Sequence, residues 1–236
     1  MTIKKNFFSF SFILTGLILV LAISCKKDDT STTPIAPAAI TVWDNDSNLY
    51  HGVTIGTQVW MVENLKTRKY RNGDGIQNIT DNTAWSNLTA GAYCNYSNDL
   101  SNGKTYGRLY NWYAVTDSRK LCPAGWHIAT DNDWKKLIEY LGGIAIAGGK
   151  LKEKGTTHWH APNGGATNAS GFTALPSGVR TKDGDFYGLG DICEHWTTSE
   201  DIALGAIHYG MGFFNENATT NFSDKKCGYL IRCVKD

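Results

Sequence analysis

The sequence predicts an α+β fold on three observations. An alternating segment closes on a glycine turn near residue 56, two stretches carry apolar residues at helical spacing, and the chain beyond Gly164 breaks into short, glycine-punctuated segments. Val53 and Ile55 alternate with polar residues, Gly56-Thr57 supplies a two-residue turn with glycine first, and Gln58-Val59-Trp60 returns as the second strand of a hairpin. Tyr106, Leu109, Tyr110 and Tyr113 fall at i, i+3, i+4 and i+7 and predict a first helix. The second helix carries its own start and stop signals. Thr130 stands where a cap is needed, Asp131 and Asp133 lie in the first turn, Trp134, Leu137, Ile138 and Leu141 form an apolar stripe, and Gly142-Gly143 ends it. Gly228 to Val234 reads as a closing strand.

The N-terminus reads as an address. Lys4 and Lys5 precede an apolar run from Phe12 to Ile23, and the small residues Ala22 and Ser24 stand just before Cys25. That is the layout of an export signal over residues 1–24, too short and wrongly flanked for a stable membrane span. Cys25 resembles the lipobox cysteine that becomes the lipid attachment site of a lipoprotein. Lys26-Lys27-Asp28-Asp29 resembles the tag that sends some Gram-negative lipoproteins to the outer surface. The expectation is a surface-exposed protein of the cell outer membrane, held by that lipid alone. Residues 25–39 are polar and Thr/Pro/Ala-rich, a flexible tether, and residues 40–236 form one domain. The chain has 23 basic and 22 acidic residues, and the signal segment removes two lysines and no acid. A near-neutral mature chain excludes the basic surface that nucleic acid requires, and equally a polybasic membrane patch.

Several blocks carry a family resemblance. Val53-Thr-Ile-Gly-x-Gln-x-Trp60, Asn82-Thr-Ala-Trp85, Tyr106-Gly-x-Leu-Tyr-Asn-Trp-Tyr113, Leu121-Cys-Pro-x-Gly-Trp-His127, Gly171-Phe-Thr-Ala-Leu-Pro176 and Ile231-Arg-Cys233 together resemble the Fibrobacter succinogenes major paralogous (FISUMP) domain. Gly125 to Trp134, Gly190 to Trp196 and the tail are more distantly similar to formylglycine-generating-enzyme-like domains. That similarity implies a C-type lectin-like fold, two helices among short, twisted antiparallel strands. The copper-dependent activity of those enzymes needs a cysteine pair in register near the C-terminus. Here the matching positions hold Gly228 and Ser223, with Cys227 one residue away, so the oxidase chemistry is not expected.

An oxidising envelope favours disulfides. The fold resemblance implies a Cys122–Cys233 bridge, Cys193 and Cys227 suggest a second, and Cys94 is left over. His158 and His160 would share a face if extended, and His195 beside Glu194, with His208, could complete a site, although such spacing is weak for a metal. His127 is read as a loop anchor. Asp44-x-Asp46-x-Asn48 superficially resembles a calcium loop but lacks its glycine and terminal glutamate, so an Asx-rich turn is expected; no cofactor is assigned, with a structural calcium ion as the open option. Trp60, Trp112, Trp126, Trp134 and Trp196 are expected in the core. Trp159 and Trp85, in polar surroundings, are expected at the surface, where aromatic rings stack on sugars. Residues 156–168 and 199–223 are the expected ligand-bearing loops. The resulting expectation is a binding or adhesion module for a glycan or protein ligand, not an enzyme. The alternatives are a metal-assisted hydrolase using His158, His160 and Glu194, and a purely structural envelope component.

Overall fold

The computed structural model describes Thr2 and residues 39–236; Cys25, the signal segment around it and the tether through residue 38 lie outside the described residues. Ala38–Asp236 forms one compact unit. Its elements run β1 (Thr41–Trp43), β2 (Leu49–Ile55), β3 (Gln58–Met61), β4 (Gln77–Asn78), α1 (Asn82–Ser86), β5 (Ala92–Cys94), α2 (Leu100–Tyr106), β6 (Leu109–Tyr110), α3 (Trp112–Val115) and β7 (Trp126–Ile128). Then come α4 (Asp131–Tyr140), α5 (Ile144–Leu151), β8 (Ser177–Arg180), β9 (Phe186–Leu189), β10 (Ile192–Asp201), β11 (Gly205–Gly212), β12 (Ala218–Ser223) and β13 (Cys233–Lys235). The fold is α+β, with mostly antiparallel sheets.

The hairpin forms where the alternation places it. β2 and β3 pair from Gly52↔Met61 to Ile55↔Gln58, with Gly56 at φ +62°, a conformation that favours glycine. The last strand closes the same sheet. β13 inserts between β3 and β7 in the order β1-β2-β3-β13-β7, which joins the two ends of the domain. The expected closing strand from Gly228 is shorter than predicted, because Gly228, Tyr229 and Leu230 make isolated bridges to three separate segments before regular pairing begins at Cys233.

Helix α4 starts and stops as the sequence indicates. The Thr130 hydroxyl accepts from the Asp133 N–H, and the Asp133 carboxylate accepts from the Thr130 N–H, a reciprocal capping box. Trp134, Leu137, Ile138 and Leu141 are buried, and Gly142 and Gly143 both take φ +98° beyond the end. The stripe from Tyr106 to Tyr113 is not a helix, and this expectation is corrected. Helix α2 ends at Tyr106, Gly107 turns at φ +94°, and β6 follows. A Cβ at Gly107 would lie 2.6 Å from Asn64 Cβ, so the chain must pass here without a side chain. Asn111 then caps α3, its Oδ1 accepting from Ala114 N. Leu109 and Tyr110 are buried because both sides of the short strand are covered, which a periodicity of spacing cannot separate from one helical face.

The five tryptophans expected inside are inside. Trp134 stacks on Tyr209 with ring centroids 5.1 Å apart and meets Trp60 edge-on at 5.1 Å, forming the centre of one core cluster. Cations brace the irregular segments around this core. The guanidinium of Arg232 donates to the carbonyls of Met61 at 2.8 Å and Phe172 at 2.7 Å, and to Asn64 Oδ1 at 2.9 Å. Arg180 reaches the carbonyls of Ile79, Thr80 and Gly184, and the Lys152 ammonium those of Gly164, Gly212 and Asn215. A loop-rich chain has many carbonyls with no ladder partner, and a buried cation satisfies several of them at once through charge-assisted bonds.

Candidate functional site

The residues expected to carry recognition fall elsewhere than expected. Trp159 is 1% exposed and Trp85 is fully buried, so neither is a surface platform. Lys152 lies 5.3 Å above the Trp159 ring, whose Nε1 donates to the Ala174 carbonyl; Arg180 covers Trp85 at 4.4 Å. Both rings are seats for the bracing cations, and Arg180 reaches Trp85 from a strand far away in sequence. His158, His160 and Glu194 do not converge. His158 Nδ1 contacts Glu153 at 2.9 Å, His160 Nδ1 contacts Asp191 at 2.9 Å, and Glu194 contacts His208 Nδ1 at 2.8 Å. Among the described residues no group of three or more His, Cys, Asp or Glu is placed to hold a metal ion. His195 is fully buried and points away from Glu194, bonding Asn64 Oδ1 through Nε2 at 3.0 Å. The Asp44–Asn48 segment is an Asx turn: Asp44 Oδ1 accepts from the N–H groups of Asp46 and Asn48, and its Oδ2 from the Tyr50 hydroxyl.

Cys122 and Cys233 form a disulfide, with Cα atoms 6.1 Å apart, across 111 residues of sequence. Cys193 and Cys227 do not pair, contrary to expectation, and remain free thiols with Cys94. Cys193 faces the core that contains Trp134 and Leu230, whereas Cys227 packs beside the other cluster. Burial pushes the Cys94 thiol up to about 12 and raises that of Cys193 as well, so both stay protonated and unreactive.

A groove of about 440 Å³ opens over this bridge. Val115, Leu121, Trp126 and Ile128 form its apolar floor beside Cys122, while Arg71, Asp117, Lys120, His127 and Asp236 give a rim of both charge signs. The floor is held from three directions. The disulfide ties Cys122 to β13, and the Arg71 guanidinium donates to the carbonyls of Cys122 at 2.7 Å, Pro123 at 2.9 Å and Trp126 at 2.6 Å. His127 spans Asp236 at 2.7 Å and Asp133 at 3.1 Å, anchoring the segment before α4 to the C-terminus. Burial tends to raise the Asp133 carboxyl, but bonds from the Thr130 hydroxyl and N–H and from His127 outweigh it and leave its pKa low. At the rim, hydrogen bonds from Arg119 push Asp117 down to about 2, so that carboxylate is anionic at neutral pH.

Sequence reasoning missed this groove because its wall is the unremarkable turn from Thr116 to Lys120, which becomes a rim only when β13 and the disulfide bring Asp236 alongside. The signal that could have pointed to it is the bridge itself, which places Cys122 next to the chain's end. The hydrophobic run at Leu121-Cys122 with Trp126 supplies the rest of the floor.

No curated protein and no solved structure matches the chain. The family model for the Fibrobacter succinogenes major domain matches residues 53–235, from within β2 through β13, and so covers most of the core and of the groove lining. The chain belongs to the Fibrobacter succinogenes major domain family.

Proposed function

We propose that this chain is a lipid-anchored recognition module of the outer membrane, with a C-type lectin-like architecture, that binds a glycan or protein ligand in the groove over the Cys122–Cys233 bridge. The observation that carries this reading is a groove with an apolar floor and a two-signed polar rim, braced by a disulfide, an arginine and a histidine. Such a surface suits amphipathic ligands, which offer apolar faces together with several hydrogen-bonding groups. The bracing also means that little ordering entropy is lost on binding. The C-type lectin-like reading is supported by the sheet that joins the domain's two ends and by the cysteine bridge from the segment before α4 to the last strand. Anchoring at Cys25 is supported by the charged, apolar and small-residue order before it and by Lys26-Lys27-Asp28-Asp29 after it.

The test is binding of the full chain to a panel of polysaccharides and envelope proteins, with calcium and with chelator. Ser118 is exposed on the rim, and Ser118→Trp fills the groove without touching its floor. A reproducible ligand whose affinity falls at least about tenfold in that variant, a loss of about 1.4 kcal/mol, supports the reading. Silence across the panel with folded protein, or a ligand indifferent to Ser118→Trp, contradicts it.

A further inference from the structure

A second cluster lies on the three-stranded sheet, away from the groove. Glu194 stands opposite Gly210 and Trp196 opposite His208 across β10 and β11; His208 stands opposite Asn221 and Ala206 opposite Ser223 across β11 and β12. Because side chains alternate along a strand, Glu194, His208 and Ser223 all emerge on one face, each from a different strand. The Glu194 carboxylate is 2.8 Å from His208 Nδ1, and His208 Nε2 is 3.0 Å from the Ser223 hydroxyl oxygen. The two nitrogens of one imidazole thus face a carboxylate on one side and an alcohol on the other. That is the order in which a base, held in one tautomer, withdraws a proton from a nucleophile.

The surroundings fix this order. The His208 side chain is 6% exposed and is enclosed by Trp196 and Tyr229, with ring centroids at 5.7 Å and 4.8 Å. Ser223, at the end of β12, is only half-buried and is the member nearest solvent. The strand leaves a slot for the carboxylate: a Cβ at Gly210 would lie 2.2 to 2.4 Å from the Glu194 carboxyl atoms. Tyr229 adds a hydroxyl 2.9 Å from Ser223 Oγ, and burial raises its pKa, so it remains a neutral phenol able to donate there.

We propose that Ser223 is a nucleophile, with His208 as its general base and Glu194 as the residue that positions the imidazole, and that the site accepts the acyl group of a carboxylic ester. Ser223 Oγ bonds to the carbonyl carbon while its proton passes to His208 Nε2. The ester C–O bond then breaks and the departing alcohol takes that proton, leaving an acyl-serine. Water, deprotonated by the same nitrogen, releases the acid and restores Ser223. This site is independent of the groove and stands or falls without it.

The test is labelling of the full chain with a fluorophosphonate, which forms a phosphonyl-serine with loss of fluoride, followed by peptide mapping. The expected result is one label, on Ser223, and none in Ser223→Ala. His208→Gln slows labelling by about 10²-fold, the scale of general-base catalysis. Glu194→Gln slows it less and shifts the midpoint of the pH profile, which a merely structural clasp would not do. Absence of label on Ser223 in folded wild-type protein overturns the proposal, as does an unchanged rate in folded His208→Gln. The wild-type arm decides by itself if that variant does not fold.

Discussion

Histidine 195 shows how one interior residue sets a condition for the whole domain. Its ring lies 5.4 Å from Trp134 and 6.0 Å from Phe172, and burial, followed by the charge of Arg232, lowers its pKa well below the ordinary imidazole value. The folded protein therefore holds it neutral, whereas the unfolded chain takes up a proton below about pH 6.5. The sign follows: His195 contributes its stability above that pH and loses it as the pH falls, by up to about 1.4 kcal/mol per pH unit. Urea unfolding at pH 7, 6 and 5 should show this decline, with a smaller slope in His195→Gln. An equal slope in that variant would remove His195 as its source. Trp159 makes a second claim at this scale. Because its ring is buried under Lys152, Trp159→Ala should destabilise the fold by about 3–5 kcal/mol in denaturant titration. A change within a few tenths of a kcal/mol would show the ring exposed. The sequence around Trp159 is polar and invites the opposite conclusion, since the carbonyls that draw Lys152 inward, at Gly164, Gly212 and Asn215, are spread over fifty residues.

At the scale of elements, legibility tracks how local the determinants are. Helix α4 is written in consecutive residues, cap, acidic turn, stripe and double glycine, and it folds as written. Thr130→Ala should cost about 1 kcal/mol in thermal or denaturant unfolding, through loss of the bond to Asp133 N–H. A neutral substitution would mean that the capping box contributes nothing measurable. The β2–β3 hairpin was equally legible from its turn. The segment from Tyr106 to Tyr113 was not, because its helical spacing of aromatics is produced by a short strand buried on both sides. What breaks the helix is Gly107 pressed against Asn64, a contact across forty-three residues that spacing cannot report. The face of β10, β11 and β12 was hidden for the same reason: Glu194, His208 and Ser223 are ordinary residues until register aligns them.

For the molecule as a whole, closure is the common theme: β13 completes the first sheet, the disulfide ties its first residue to the segment before α4, and the groove lies over that tie. With 111 residues between the two cysteines, reduction should lower stability by about 4–5 kcal/mol on chain-entropy grounds, readable as a shift of the unfolding midpoint in the presence of reductant. An unchanged midpoint with the bridge verified as reduced would show that packing alone holds the two ends. The α+β class could be anticipated from sequence and this bridge from the fold resemblance; the groove could not, because its walls come from opposite ends of the domain. The most direct measurement is the hydrogen-exchange footprint of the full chain with a ligand recovered from the binding panel. Recognition in the groove predicts protection confined to residues 115–130 and the C-terminal strand. Protection centred instead on residues 156–168 or 199–223, with the groove unchanged, would contradict it.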